Sequence, residues 1–184
     1  ASSANLLAKG GGWRRGEPWL QEVRVPAQLA WEEADLAIKH PRSQWARWGV
    51  TLADGRALPA DAMPASLILP MGRGGPAFLA YQNFHAFLEW NQSLVYSTTA
   101  AYFATRLTGA PQVQKGPSPA PMLSPQQVLE LQKLLARDGH EVGKLDGKVG
   151  TATRAAVKKA QLKYALPADS YPTAELIARM RSGR

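Results

Sequence analysis

The stretch Tyr81-Gln82-Asn83-Phe84, continuing through Glu89-Trp90-Asn91-Gln92-Ser93 to Tyr96 and Leu107, decides how the chain is read. An apolar, β-favourable segment ending at Trp90 meets a polar knot, Asn91-Gln92-Ser93, and then a helix-forming run from Val95 to Leu107 rich in Ala and Thr. A strand-to-helix corner of this kind can hold polar side chains at the mouth of a cleft. Asn brings an amide with donors and an acceptor, Ser a hydroxyl, and Tyr a ring face with a phenol. Together they suit a ligand dense in acetamido and hydroxyl groups, as a saccharide is. A second reading uses the same residues structurally: Ser93 or Asn91 caps the helix, and Trp90 and Tyr96 pack against its first turns.

Working upstream, Ala77 to Tyr81 and Ala65 to Leu69 read as apolar strands joined through a turn at Gly72 to Gly75. Asp54-Gly55 within Val50 to Leu58 signals a hairpin. Trp19 to Val25 alternates as a strand and stops at Pro26, and Ala27 to Ile38 carries Leu29, Trp31, Leu36 and Ile38 on a loosely helical pattern. Pro41-Arg42-Ser43 opens a short helix bearing Trp45 and Trp48. The region from about 19 to 81 is thus expected to be a small strand-rich insert between helical ends. Ala1 to Lys9 reads as helix stopped by Gly10-Gly11-Gly12, and it opens without a cap. The chain is therefore expected to begin inside a larger fold whose upstream portion lies elsewhere.

Downstream, Leu107-Thr108-Gly109 closes the helix, and Ala110 to Pro121 is rich enough in proline to read as a semi-extended tether that marks a domain boundary. After it, Ser124-Pro125-Gln126-Gln127 combines a cap, a proline at the first helical position and a capping-box Gln, with Val128, Leu131, Leu134 and Leu135 at helical spacing. Gly143 to Gly150 is a tight loop, Thr151 to Tyr164 a second helix with Ala156, Val157, Ala160 and Tyr164 inward, and Thr173 to Met180 a third. Three helices suffice for one small bundle.

The 184 residues carry a formal net charge of +8, which favours an acidic partner: nucleic acid, an anionic membrane face, or a cell wall with its peptide and lactyl carboxylates. With no Cys there is no disulfide or thiolate chemistry. His40, His85 and His140 are far apart and lack metal-ligand spacing, so neither a metal nor a cofactor is expected. No apolar run approaches the length of a membrane span, as expected of a mature exported protein or a cytosolic one. Among the acids, Glu32, Glu33 and Glu89 lie beside tryptophans and are the ones to weigh as site carboxylates.

The Asn-Phe pair at Asn83-Phe84, followed by the aromatic-Asn-x-Ser-x-x-Tyr pattern of Trp90, Asn91, Ser93 and Tyr96, resembles the end of the catalytic domain in the lytic murein transglycosylase B family. Gly12-Trp13-Arg14-Arg15-Gly16-Glu17-Pro18 and Pro64-Ala65-Ser66-Leu67-Ile68-Leu69-Pro70 are similar to segments of that family in the same order. Trp90 stands where many relatives carry Tyr, so a stacking role carries over and a phenol hydrogen bond does not. Past the tether, Asp146, Gly147, Gly150, Thr153, Ala156, Val157, Gln161, Asp169 and Thr173 resemble the marks of the peptidoglycan-binding domain type one module. Ala160 replaces a common aromatic there, and Ser170 a usual Gly.

The resemblance implies an α+β fold: the C-terminal part of a lysozyme-like transglycosylase domain over residues 1–110, a Pro-rich linker at 111–122, and a three-helix peptidoglycan-binding bundle at 123–184. It implies cleavage of the bond between N-acetylmuramic acid and N-acetylglucosamine by one Glu, which protonates the leaving oxygen and then deprotonates the muramic C6 hydroxyl, leaving a 1,6-anhydro end. Two-carboxylate glycosidases work differently. The family's catalytic Glu, in its Glu-Ser-x-x-Gly setting, is absent from this chain and is expected upstream of Ala1, so the chain alone is expected to be inactive. The implied saccharide contacts are Asn91, Ser93, Tyr96, Trp90 and Asn83. In the module, Asp146, Gly147 and Asp169 are the implied border of a wall-peptide site, beside their reading as helix-entry turn residues. The partners implied are glycan strands, stem peptides and the upstream portion of the same protein, not nucleic acid. The setting implied is the periplasm at the cell wall, with outer-membrane anchoring through a missing N-terminus as a further expectation. A non-catalytic wall-binding protein is the alternative; an amidase or peptidase would need a metal constellation that the sequence does not offer.

Overall fold

The computed structural model describes residues 12–183, so the expected helix at Ala1 to Lys9 lies outside the described residues. Five antiparallel strands form one sheet in the order β2-β4-β5-β1-β3: β1 Leu20–Arg24, β2 His40–Pro41, β3 Thr51–Leu52, β4 Pro64–Ile68 and β5 Ala77–Ala80. In the central pairings Leu20 faces Ala80 and Val23 faces Ala77 across β1 and β5, while Ser66 faces Ala80 and Ile68 faces Phe78 across β4 and β5. β5 and most of β4 are buried along their length, which is why they read as continuous apolar runs and not as alternating ones.

Each face of the sheet has its own core. Val23, Ala65, Leu67, Ala77 and Leu79 point to one side, where Leu29, Ala34, Trp45, Val50 and Leu58 cover them. Trp45 sits on α1, Arg42–Arg47; it is fully buried and donates its indole N–H to the Ala65 carbonyl at 2.9 Å. Leu20, Ile68, Phe78 and Ala80 point to the other side, against Phe84, Phe87 and Ala101 from two helices, α2 at Phe84–Trp90 and α3 at Leu94–Leu107. The Trp19 indole pins the start of β1 to α3 through the Ala101 carbonyl at 3.0 Å and Thr105 Oγ1 at 2.9 Å.

Two expectations need correction. The segment before Trp90 is helix α2, not a strand. Phe84, Phe87 and Leu88 recur at helical spacing and pack into one core, and this packing outweighs the β-preference of the aromatic residues. The corner at Asn91 is therefore helix to helix. Ala27 to Ile38 forms only a short 3-10 turn at Trp31–Glu33. Its apolar residues serve opposite faces of the sheet: Leu29, Trp31 and Ala34 go to one core and Leu36 to the other, which one helical stripe cannot do.

The C-terminal bundle holds α4 Pro125–Arg137, α5 Thr151–Lys163 and α6 Ala174–Ser182 around Leu131, Leu135, Val157 and Leu176. The capping box forms at α4: Ser124 Oγ accepts from the Gln127 amide, and Gln127 Oε1 accepts from the Ser124 amide at 2.8 Å. Ser170 adopts a left-handed backbone with φ of 61°, the geometry for which the usual Gly is suited.

The proline-rich stretch contains no helix or strand, but it does not hang free. The Gln114 amide donates to Glu22 Oε1 at 2.7 Å, its side-chain nitrogen to the Ala53 carbonyl at 3.0 Å, and the Ser118 amide to the Gly74 carbonyl at 3.0 Å. Tyr102 donates its phenol to Glu22 Oε2 at 3.0 Å and to the Pro111 carbonyl at 2.9 Å; burial first, and then Glu22, push that phenol up to about 12. The bundle is clamped as well. Arg154 of α5 donates to the carbonyls of Leu69, at 3.3 Å, and Pro70; the Arg73 amide donates to Asp169 Oδ2 at 3.0 Å, and Lys158 pairs with Asp35 at 2.7 Å.

Candidate functional site

The clamp brings two separately identified polar sets face to face. Asn91, Gln92 and Ser93, between α2 and α3, form one wall of a cleft of about 670 Å³, and Gly143, Lys144, Asp146, Lys148 and the first turn of α5 form the other.

The first wall is built by local hydrogen bonding. Asn91 ends α2 in an extended conformation, and its Oδ1 accepts from the Ser93 amide at 2.8 Å. Ser93 is the N-cap of α3, its Oγ accepting from the Tyr96 amide at 3.4 Å. Buried Ser97 locks the corner from beneath by donating to the carbonyls of Phe87 and Asn91 at 3.2 and 2.5 Å. The capping geometry and the cleft position therefore coexist. The acceptor functions of Asn91 and Ser93 are engaged locally, whereas Asn91 Nδ2 has no partner among the described residues. Beside this wall, Trp90 and Tyr96 meet edge to face with ring centroids 6.2 Å apart, and both are about half exposed. They flank the cleft without lining it, as a bare aromatic surface on which a sugar ring can stack.

Asn83 stands elsewhere. It is fully buried, its Oδ1 accepting from the Arg14 amide at 2.7 Å and its Nδ2 donating to the carbonyls of Arg14 and Glu17, both at 2.8 Å. With its amide engaged on both sides, Asn83 fastens the Arg14–Glu17 turn to α2 and has no free group for a saccharide.

The second wall depends on a residue that sequence reasoning missed. Gln132 of α4 is fully buried; its Nε2 donates to the carbonyls of Lys144 and Lys148, each at 3.0 Å, and its Oε1 accepts from the Gly147 amide at 2.9 Å. The loop is wound around this one amide. Gly147 completes it with φ of 72°, and a Cβ there would lie 2.6 Å from the Pro125 carbonyl oxygen, so its role is to permit the approach. Asp146 Oδ1 accepts from the Lys148 amide at 2.9 Å; that bond, with help from Gln132, holds the Asp146 carboxyl below the usual carboxylate range. Lys144 and Lys148 form no ion pair among the described residues.

Gln161 repeats the device one helix later. Its Nε2 donates to Asp169 Oδ1 at 2.8 Å and to the Tyr171 carbonyl at 3.1 Å, and its Oε1 accepts from the Ser170 amide at 2.9 Å. Asp169 is buried, with its other oxygen held by Arg73, so it works in the clamp and not at the border of the cleft.

Chemically the cleft offers polar and charged contacts but no general acid. Asp146 is the one carboxyl that lines it among the described residues, and it is held ionised; Glu32, Glu33 and Glu89 lie outside it. Glu33 is engaged with His40 at 2.8 Å. A general acid must be protonated at the working pH, which Asp146 is not. Among the described residues no group of three His, Cys, Asp or Glu could hold a metal ion, and no helix is long and apolar enough to cross a membrane.

Residues 1–105 match the transglycosylase SLT domain family, and residues 124–180 match the peptidoglycan binding domain family. Two crystal structures of SltB3 from Pseudomonas aeruginosa are similar to the chain. One, in complex with NAG-anhNAM-pentapeptide, is 40% identical with a TM-score of 0.79; the other, in complex with NAG-NAM-pentapeptide, is 39% identical with a TM-score of 0.78. Each comparison covers 97% of this chain and 48% of SltB3, so the chain spans about half the length of that relative. No curated protein matches the chain.

Proposed function

The chain belongs to the transglycosylase SLT domain family, and from that premise we propose that it is the wall-gripping portion of a lytic transglycosylase acting on peptidoglycan. The reaction assigned is cleavage of the β-1,4 bond between N-acetylmuramic acid and N-acetylglucosamine with formation of a 1,6-anhydro end, carried by a Glu outside these residues. Asn91 and Ser93 orient the sugar substituents, Trp90 and Tyr96 supply ring stacking, and the loop at Asp146 and Gly147 engages the wall from the module. Residues 1–110, 111–122 and 123–184 are assigned as catalytic part, linker and module. The working site is the periplasm, in contact with the murein layer.

The observation that carries this reading is the cleft itself: the corner given to sugar binding and the loop given to wall binding face each other across one space. The SltB3 crystal structures, in complex with NAG-anhNAM-pentapeptide and NAG-NAM-pentapeptide, support the choice of substrate class. Incubating purified sacculi with the 184-residue chain should retain the protein on the pellet and release no anhydromuropeptides. Release of those products by this chain alone would overturn the placement of the acid and return attention to Glu32, Glu33 and Glu89. Failure to sediment with sacculi would overturn the wall-binding assignment.

A further inference from the structure

We propose that the outer face of α3, centred on Phe103 and Leu107, is the surface on which the acid-bearing portion of the transglycosylase domain docks. This inference rests on the transglycosylase reading above and adds to it where the two portions of the catalytic domain meet.

α3 has the composition of an interior helix. Its 14 residues carry one charged side chain, Arg106, and apolar residues stand on both of its sides. A helix with one face in water sets charged residues opposite its core face, whereas one that is apolar all round is packed on both sides. One side of α3 has its packing: Leu94, Ala101 and Tyr102 lie on the core that holds Ile68, Phe78 and Phe87. The other side has none among the described residues. Tyr96, Phe103 and Leu107 recur at i, i+7 and i+11, which makes one stripe, and Phe103 and Leu107 are 62% and 74% exposed. Beside the stripe runs a groove of about 620 Å³ between α3, the β4–β5 connection and the linker, lined by Met71, Phe78, Val95, Phe103 and Val113. Thr98 lines it too; it is buried, and its hydroxyl has no hydrogen-bond partner among the described residues. Buried hydroxyls are ordinarily paired, and a bare apolar stripe continuous with a core is ordinarily a contact surface, so both features call for a covering layer.

The occupant follows from what the chain leaves out. The transglycosylase match runs to residue 105, in the last turn of α3, so α3 belongs to the catalytic domain and not to the bundle. The comparison with SltB3 covers 48% of that protein, which leaves about half of it without a counterpart here, and the proposed function puts the acid in such a portion. A second copy of this chain would also cover an apolar stripe, but it would not bring the acid to the catalytic domain.

The test uses the absence of cysteine from the 184 residues. F103C is made in this chain and in a full-length protein that adds the upstream portion, and the reaction of the introduced thiol with a soluble reagent is followed by mass spectrometry of its peptide. The thiol should react at least about tenfold more slowly in the full-length protein, where it opens to solvent only by local undocking. F103E and L107E should melt close to the native protein in the 184-residue chain, where both positions face water, and several degrees below it in the full-length protein, where each buries a charge. Equal labelling rates in the two proteins, or variants that melt alike in both, overturn the inference. Slow labelling in the 184-residue chain itself assigns the face to a second copy where light scattering shows a doubled mass, and to a segment of this chain where it does not; either overturns it. Release of anhydromuropeptides from sacculi by the native full-length protein is scored separately. Docking without release leaves the inference in place and overturns the reading of the reaction; release without docking does the reverse.

Discussion

Asn91 spends its oxygen on the Ser93 amide and keeps its nitrogen unpartnered, so two substitutions separate the structural from the ligand-facing half of one side chain. Asn91→Asp keeps an acceptor for the Ser93 amide but removes the donors and places a negative charge opposite Lys144 and Lys148. It should melt close to the native protein yet weaken disaccharide pentapeptide binding at least about tenfold. Asn91→Ala loses both halves and should also cost about 0.5–2 kcal/mol of stability. An Asn91→Asp protein that binds normally would reduce Asn91 to a turn former. The capping role and the place of Asn91 and Ser93 at the mouth of a cleft were both legible in the sequence; that the two coexist was not, because capping occupies their acceptors and leaves their donors toward the cleft. Asn83 was misread for a different reason. Its partners lie 66 and 69 residues away, and nothing local reports that its amide turns inward.

Among the elements, the loop from Gly143 to Gly150 owes its shape to α4, not to its own residues. Gln132→Leu fits the apolar surroundings of the bundle but abandons the Gly147 amide and the carbonyls of Lys144 and Lys148. The cost should be about 1–3 kcal/mol, seen as a lower melting temperature of the bundle, with faster hydrogen exchange at Gly147. Ligand binding should fall with it, and an unchanged exchange rate would show that the loop stands without Gln132. The α4 capping box, the α5 and α6 starts and the buried strands were all readable, since each follows from residues within a few positions. Helix α2 was hidden because Phe and Trp favour strands while their spacing at Phe84, Phe87 and Leu88 favours a helix, and spacing wins when it matches a core. The irregular path from Ala27 to Ile38 was hidden because one sequence does not say that neighbouring apolar residues serve opposite faces of a sheet.

In the whole molecule, the relation between the two parts is set by a few polar contacts. Arg154 is the central one: it is buried against Tyr171, with its guanidinium 5.9 Å from that ring, and burial pushes its pKa down to about 10, so it stays charged at neutral pH. Arg154→Met keeps the packing volume but strands the carbonyls of Leu69 and Pro70. The expected outcome is undocking without unfolding: a larger radius by small-angle scattering, faster proteolysis between Ala110 and Pro121, and separate melting of the two parts. A variant with native dimensions and native protease resistance would show that the linker contacts at Gln114 and Ser118 suffice alone. That the proline-rich stretch forms no helix or strand was legible from its prolines, but the clamp was not, because each of its contacts joins groups far apart in the sequence.

The strapped linker changes the arithmetic of avidity. Two sites on a loose cord meet a second epitope with an effective concentration set by cord length, in the millimolar range for short flexible chains, and tolerate many spacings. Here the prolines, Gln114 and Ser118 have already removed that freedom during folding. Capture of a strand at one wall therefore presents the other wall without a further ordering cost. On the proposed function, the same rigidity makes the chain a gauge: a substrate of matching span would be gripped by both walls, and one of the wrong span by one alone.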